Sequence, residues 1–263
     1  MPFHLSESHI ANYMSDGYTV FRGIIPASLI KDLRLESIKG RELARAKHGA
    51  QAQRIQPIGS FNFNPKPFQD YAELPELLDA IRQVISPDAW HGTPEWLGIL
   101  IEPASAPWCT KWHRDITADS AAVDPKEFES VRYQQVYFNQ TNCALYDDSS
   151  TWIVPGSHCR EDVPSELAHM KKWPLKRWGG EPEPGVSHEE QEQRCIEYCR
   201  NMPRAVCLHL DAGDFALYRP LAWHLGNYTP YRIRATLHDA VWTPQSKEWY
   251  DRWEERRGKK AYE

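Results

Sequence analysis

The sequence predicts an α+β chain in which helices come first and a mainly β core follows. Three segments before residue 86 place apolar residues at helical spacing, whereas six short runs after residue 95 are rich in β-branched and aromatic residues. Turn sequences such as Pro155-Gly156-Ser157 separate several of these runs. Because β-rich cores of this size are often one domain, we predict a single domain spanning residues 1–263.

Capping residues bound the predicted helices of the N-terminal part. Ser6 is suited to N-cap a first helix, and Gly17 ends that helix. Pro26 stands at the start of a second helix, where proline is tolerated. The predicted elements are, in order, a helix at 6–16, a strand at 18–21, a helix from 26 to about 47, an irregular loop at 56–69 and a helix at 74–85.

Strands and one insertion make up the rest of the predicted chain. A polar insertion at 159–202 includes Trp173, and its last part, 188–202, has helical spacing. Long segments of this kind are often lids over a binding site, and a surface excursion without function explains the insertion equally well. The predicted strands are 96–102, 131–139, 151–154, 205–210, 215–218 and 232–242, and a charged helix follows at 247–260.

Composition and charge exclude several classes of protein. Apolar residues make up 41% of the 263 residues, which is ordinary for a globular chain. The formal net charge of −5 argues against a nucleic-acid partner, since such proteins usually carry a basic face. No apolar run approaches the roughly 18 residues of a membrane span. Residues 1–7 lack the charged and apolar regions of a secretory signal.

The six cysteines show no Cys-x-x-Cys pair and no spacing typical of a small disulfide scaffold. We interpret them as reduced thiols, which predicts a cytoplasmic protein. Cys195 and Cys199 lie one helical turn apart, where they are either half of a zinc site or ordinary helix residues. The lack of a close His or Cys partner pair favours ordinary helix residues. No feature of the sequence assigns an oligomeric state.

Two histidines and one carboxylate form the strongest chemical pattern in the sequence. His113 and Asp115 are two residues apart, so an extended segment presents both on one face. An antiparallel double sheet would bring the distant His224 to the same point. This residue set is the facial triad that holds Fe(II) in non-haem oxygenases. A His-x-Asp pair alone is common by chance, and the addition of His224 and, ten residues later, Arg234 makes the pattern specific.

Four segments of the chain carry a family resemblance. They are the helix, glycine and strand at 14–23, the ligand pair in Trp112-His113-Arg114-Asp115, the Pro-Gly-Ser-His turn at 152–158, and the distal half at 212–235. With these segments the chain resembles the phytanoyl-CoA dioxygenase family of Fe(II)- and 2-oxoglutarate-dependent oxygenases. The segments span nearly the whole chain, so the resemblance concerns an entire domain.

The resemblance implies a fold and a reaction. The implied fold is a double-stranded β-helix, a cupin-like jelly-roll of two facing antiparallel sheets with helices outside one sheet. His113, Asp115 and His224 would hold Fe(II), with 2-oxoglutarate as cosubstrate and O2 as oxidant. A small organic molecule would be oxidised, with succinate and CO2 as co-products. Hydroxylation is the expected outcome, and epoxidation, desaturation and demethylation stay open, as does the identity of the substrate.

Three residues are predicted to contact 2-oxoglutarate. Arg234 falls where the family's arginine falls, and its guanidinium matches a carboxylate in two parallel hydrogen bonds. Arg232 lies on the same face by alternation and is the rival. Gln135, on a predicted strand, faces either the cosubstrate or solvent. Thr236 would replace a serine that the family often has shortly after the distal histidine and that this chain lacks.

A non-catalytic protein is the alternative prediction. In that case the chain is a metal-binding jelly-roll that serves as a sensor or an interaction module. The complete set of three ligands, together with Arg234, favours the enzyme.

Overall fold

The structure is a computed structural model that describes residues 3–176 and 184–258. The helices in these ranges are α1 (Glu7–Asp16), α2 (Ala27–His48), α3 (Pro65–Ala72), α4 (Pro75–Val84), α5 (Pro125–Val131), α6 (Pro164–Met170), α7 (His188–Arg200) and α8 (Pro244–Arg256). The strands are β1 (Tyr18–Phe21), β2 (Arg54–Ile55), β3 (Gly98–Ile101), β4 (Trp108–Cys109), β5 (Asn139–Ala144), β6 (Thr151–Ile153), β7 (Val206–Cys207), β8 (Phe215–Tyr218), β9 (His224–Tyr228) and β10 (Ala235–Val241). Within the described ranges, no helix combines the length and the apolar character needed to cross a membrane.

The strands form two antiparallel sheets. The larger sheet has the order β1-β8-β5-β10-β3-β2, and the smaller has the order β4-β9-β6-β7. In the larger sheet, Thr236 pairs with Leu100 on one side and Ala144 on the other. Arg54 on the edge strand β2 also pairs with Leu100. These four residues form one row and face one side of the sheet, whereas the next residue, Leu237, faces the other side.

The helices cover the outer face of the larger sheet. Leu237 lies in the main hydrophobic core with Leu33 of α2, Ile81 of α4 and Phe215 of β8. All four side chains are completely buried. Burial of this apolar face leaves the opposite face, which carries Arg54 and Thr236, for the space between the sheets.

The smaller sheet contacts the larger sheet on one face and α7 on the other. Ala144 of the larger sheet and Ile153 of β6 belong to one buried cluster, so the inner faces of the two sheets are in contact. On the outer face, Trp152 pairs with Leu225, and both lie in a cluster with Cys195 of α7. The last helix of the predicted insertion therefore packs against the outside of the smaller sheet.

The predicted end of the first helix agrees with the structure. Gly17 has a φ of +80°, and its N–H donates to the carbonyl of Tyr13 at 3.1 Å. A Cβ at this position would overlap the ring of His158, which belongs to the Pro-Gly-Ser-His turn. Glycine is required here both by the left-handed backbone and by this close approach.

The predicted strand at 131–139 is wrong. Helix α5 occupies the first of these positions, and the strand β5 starts only at Asn139. The Asp124 side chain N-caps α5 by accepting from the N–H groups of Lys126 and Glu127, at 2.9 and 3.1 Å. Phe138 has a φ of +54°, which interrupts extended backbone just before β5. The aromatic composition of the segment suggested a strand, but the capped helix and the turn after it prevail.

The predicted irregular loop at 56–69 is partly helical. It contains a short 3-10 turn at Ile58–Ser60 and the first residues of α3. Asn64 N-caps α3 and accepts from the N–H of Lys66 at 3.2 Å, while Pro65 takes the first helical position. Proline at that position begins a helix as readily as it interrupts one elsewhere.

Candidate functional site

The two sheets bring His113, Asp115 and His224 together. His113 and His224 face each other in an isolated antiparallel bridge. The N–H of His113 donates to the carbonyl of His224 at 3.0 Å, and the reverse bond measures 3.1 Å. The N–H of Asp115 donates to the carbonyl of Pro220 at 3.1 Å. Backbone pairing thus fixes both ligand-bearing segments relative to each other.

The donor atoms of this triad converge on one point. They lie within 4.8 Å of one another, and each histidine Nε2 is 3.4 Å from Oδ1 of Asp115. Nδ1 of His113 bonds the carbonyl of Lys111 at 2.7 Å, and Nδ1 of His224 bonds the carbonyl of Ala222 at 2.9 Å. Because a carbonyl only accepts, each Nδ1 carries a proton, and Nε2 is the nitrogen of each ring that faces the centre. A ring that is neutral in this tautomer presents the lone pair of Nε2 to a metal ion there. Two imidazole nitrogens and a carboxylate oxygen fit a divalent transition-metal ion.

The charges of the three side chains are coupled. Burial raises the pKa of the Asp115 carboxyl, but the charge of His224 and hydrogen bonds from both histidines outweigh burial and hold that pKa well below its usual range. Burial lowers the pKa of His113, whereas its hydrogen bond to Asp115 and the charge of Asp115 raise it, with a net increase. A metal ion at this point would therefore compete with protons for the histidines.

A cavity of about 760 Å³ opens onto His113 and Asp115. Arg54 and His238 of the larger sheet line it, and Trp108 and Tyr228 of the smaller sheet lie opposite. Arg54 takes part in none of the ion pairs found within the described ranges. Burial, together with the positive charge of Arg54, lowers the pKa of His238 to about 3, so this ring is neutral. The cavity therefore combines aromatic walls with one exposed guanidinium.

Arg234 is buried and Arg232 is exposed, which separates the two candidate arginines. Arg234 is 4% exposed; its Nε lies 3.3 Å from Oδ1 of Asp148, and its Cζ lies 5.1 Å from the ring centroid of Tyr228. Its Nη1 has no hydrogen-bond partner in the described part of the chain. Arg232 instead donates to the hydroxyl of Ser149 at 3.1 Å. Arg234 thus carries a buried donor that a carboxylate can satisfy.

Thr236 and Tyr228 border the Arg234 guanidinium. The Thr236 hydroxyl donates to Oδ2 of Asp148 at 3.4 Å, so Asp148 links Thr236 with Arg234. Tyr228 lines both the cavity at the triad and a second cavity of about 550 Å³ that contains Arg234. A Cβ on Gly226 would overlap the Tyr228 hydroxyl. The lack of a side chain at Gly226 therefore leaves room for the Tyr228 side chain between the triad and Arg234.

Gln135 does not lie on a strand. It falls in the turn between α5 and β5, where its Nε2 donates to the carbonyl of Ile85 at 3.2 Å. The predicted strand position is thus corrected, and contact of Gln135 with a cosubstrate stays a prediction. The glutamine next to the triad is Gln140, whose Nε2 donates to Oδ2 of Asp115.

The insertion packs beside the first ligand. Nε1 of Trp112, the residue before His113, donates to the carbonyl of Tyr198 in α7 at 3.4 Å. Nε1 of Trp173 donates to the carbonyl of Cys109 at 3.1 Å. The ammonium group of Lys111 lies 4.9 Å from the centroid of the Trp173 ring. Residues 177–183 of the predicted lid lie outside the described residues.

Comparison with known proteins identifies structural neighbours. No protein-family model matches the sequence, and no curated protein matches it. AviO1 from Streptomyces viridochromogenes Tue57 is similar over 90% of this chain and 94% of its own, with a TM-score of 0.59 and 14% identity. EctD from S. alaskensis, solved with 2-oxoglutarate and 5-hydroxyectoine, is similar over 92% of this chain and 77% of its own, with a TM-score of 0.58 and 16% identity. The chain shares its fold with these proteins.

A third neighbour was solved in complex with a metal ion and α-ketoglutarate. The epimerase SnoN, solved in complex with Fe3+, α-ketoglutarate and nogalamycin RO, is similar over 90% of this chain and 83% of its own. The TM-score is 0.56 and the identity is 16%.

Four residues of the site were not predicted from the sequence: Gln140, Arg54, Tyr228 and Asp148. A signal for two of them was present. Alternation along β9 places Tyr228 on the same face as His224, and Gln140 would have been found had β5 been placed at its true start. Arg54 lies in a strand of two residues, which is too short to give a pattern.

Proposed function

We propose that the protein is an Fe(II)- and 2-oxoglutarate-dependent oxygenase that oxidises, and specifically hydroxylates, a small organic molecule. The observation that carries the proposal is the convergence of three donor atoms within 4.8 Å, with both histidine tautomers set by backbone carbonyls. The three structural neighbours described above support it.

We also propose that the two sheets form a double-stranded β-helix, that the chain belongs with the phytanoyl-CoA dioxygenase family, and that it acts in the cytoplasm.

The chain's residues divide the work of such a reaction. His113, Asp115 and His224 would hold the iron, which when bound would supply the reaction with O2 that organic side chains cannot perform. Gln140 donates to the Asp115 oxygen Oδ2 and so orients the carboxylate. The face between the sheets, with Tyr228 and Trp108, would exclude water from the reacting molecules.

Arg234 is the proposed partner of the distal carboxylate of 2-oxoglutarate. Its Nη1 is buried and lacks a protein partner in the described ranges, whereas Asp148 bonds its Nε. The distal carboxylate of 2-oxoglutarate would accept a charge-assisted hydrogen bond from Nη1 and so satisfy this donor. Thr236 lies on β10, two residues after Arg234, and would border the same carboxylate.

Succinate release tests the proposed function. Purified protein with ferrous iron and 2-oxoglutarate under air should form succinate, and a panel of small molecules should include one that raises the rate. Reactions with a chelator, or without 2-oxoglutarate, are the controls. The product should gain the mass of one oxygen. Metal binding without succinate from any mixture would favour the non-catalytic sensor or interaction module.

The insertion at 159–202 is proposed to close over the substrate. In the described part, Trp173 lies against Lys111, close to His113 in the chain. Because closure would shield amides near this contact, hydrogen exchange in peptides covering 159–176 should slow when the substrate found by screening is added. Peptides from α4, on the far side of the larger sheet, should be unchanged. Equal exchange with and without substrate would reduce the insertion to a cover of the smaller sheet.

A further inference from the structure

Arg114 lies between two of the triad residues, yet its side chain is directed elsewhere. The side chains of His113 and Asp115 meet at one point, with Nε2 and Oδ1 3.4 Å apart, whereas the Arg114 guanidinium bonds Leu221 and Asp162. The Arg114 side chain is only 7% exposed, which is low for an arginine. The chain thus buries the guanidinium of Arg114, a residue between two triad residues, and its contacts indicate its role.

The guanidinium of Arg114 contacts the segment that carries His224. Its Nη1 donates to the carbonyl of Leu221, and its Cζ lies 4.6 Å from the ring centroid of Trp223, the residue before His224. Its Nη2 donates to Oδ1 of Asp162, at the start of the insertion, at 2.5 Å. One side chain therefore connects the segment of the first two ligands to the segment of the third.

Trp223 is held from several sides. Its ring Nε1 donates to the same Oδ1 of Asp162 at 2.9 Å. Its backbone N–H donates to the hydroxyl of Ser157 at 2.8 Å, and its carbonyl accepts from the N–H of Val154, also at 2.8 Å. Arg114, Trp223 and Asp162 thus form a closed set of contacts, and Ser157 of the Pro-Gly-Ser-His turn anchors it.

We propose that Arg114 is a positioning residue for the metal centre. Resting on the proposed function, the inference is that Arg114 and Asp162 hold the Asp115 carboxylate in place relative to His224. Two backbone bonds of the bridge join His113 to His224 directly, whereas Asp115 is joined to the segment of His224 by one backbone bond, from its N–H to the carbonyl of Pro220. A planar, delocalised guanidinium can stack on Trp223 and bond two acceptors at once, which a lysine ammonium cannot.

Manganese binding tests this role without any turnover. Metal-free protein would be titrated with Mn²⁺ while the free ion is followed by electron paramagnetic resonance. Loss of a partner that orients a ligand typically costs about 10–100-fold in metal affinity, so Arg114→Gln should weaken Mn²⁺ binding in this range. Arg114→Lys should restore part of the affinity, and Asp162→Asn should have a smaller effect than Arg114→Gln because the amide keeps an oxygen acceptor.

The matched control is Arg160→Gln. Arg160 also pairs with a carboxylate of the insertion, Glu166, and among the described residues no hydrogen bond or ion pair joins it to either ligand segment. The control should bind Mn²⁺ as the wild type does. Wild-type affinity in Arg114→Gln, or an equal loss in Arg160→Gln, would overturn the proposal.

A second variant keeps the test decisive if Arg114→Gln fails to fold. Arg114→Lys retains a charge against Asp162 but loses the stacked fork, so its affinity should fall while circular dichroism stays native. Unchanged Mn²⁺ affinity in that variant would contradict the proposed role. If the wild-type protein binds Mn²⁺ and releases succinate, and the Arg114 variants bind Mn²⁺ equally well, this inference alone is wrong. A wild type that binds no Mn²⁺ would overturn the proposed function as well.

Discussion

His224→Ala is expected to abolish metal binding and turnover. The substitution removes one of three donor atoms, and the remaining pair, His113 and Asp115, comes from a single short segment. The affinity loss should exceed the roughly 100-fold that follows removal of an outer hydrogen-bond partner, because a direct ligand is lost. Iron content after reconstitution and succinate release both measure the result.

The fold of the His224→Ala protein should persist. The His224 side chain makes one backbone hydrogen bond, to Ala222, and its loss costs about 1 kcal/mol. His91→Ala is the matched control: His91 is 3% exposed and His224 is 7% exposed, but His91 packs between Tyr71 and Phe215 in the core. His91→Ala should lower the melting temperature and retain iron. Iron and activity that survive in His224→Ala would show that this residue is not a ligand.

Arg234→Lys is expected to raise the concentration of 2-oxoglutarate needed for half-maximal succinate release. Lysine keeps a positive charge beside Asp148 but loses the fork that would bond a carboxylate twice. A hydrogen bond to a charged group contributes about 1.5–3 kcal/mol, so the requirement should rise on the order of 10- to 100-fold. Arg234→Ala should have a larger effect. It would also leave the Asp148 carboxylate buried without its cation, which is costly, so lysine is the cleaner variant.

Arg232 provides the control for Arg234. Its side chain is exposed and donates to Ser149, so Arg232→Ala should leave the 2-oxoglutarate requirement nearly unchanged. Saturation curves for the three variants decide the matter. A strong effect of Arg232→Ala with a weak effect of Arg234→Lys would reverse the assignment. An effect of neither variant would direct attention to Arg54, whose guanidinium lines the cavity at the triad.

Several elements of the fold could be predicted because their signals are local. The first helix ends at Gly17 as expected, and the strand Phe215–Tyr218 lies where its composition placed it. The strand predicted at 131–139 failed because its composition fits a strand, while the Asp124 cap and the Phe138 backbone oppose one. Local composition and local capping disagreed there, and composition was the weaker signal.

The sequence by itself determined the candidate metal ligands and the two candidate arginines, but not four further residues of the site, Gln140, Arg54, Tyr228 and Asp148. The two-residue spacing of His113 and Asp115, the distant His224 and the two candidate arginines are all visible in one dimension. The spacing of residues predicts which side chains share a face, because successive side chains of an extended backbone point to opposite faces whatever surrounds them.

Tertiary structure alone decided which of those residues meet and which stay apart. Alternation places Arg232 and Arg234 on the same face, but β10 starts at Ala235, and Arg234 alone of the two is covered by Tyr228 and bonded by Asp148. The bridge between His113 and His224, and the contacts of Arg114, likewise join segments about a hundred residues apart. Such contacts depend on strand pairing between distant parts of the chain, and no local pattern specifies them.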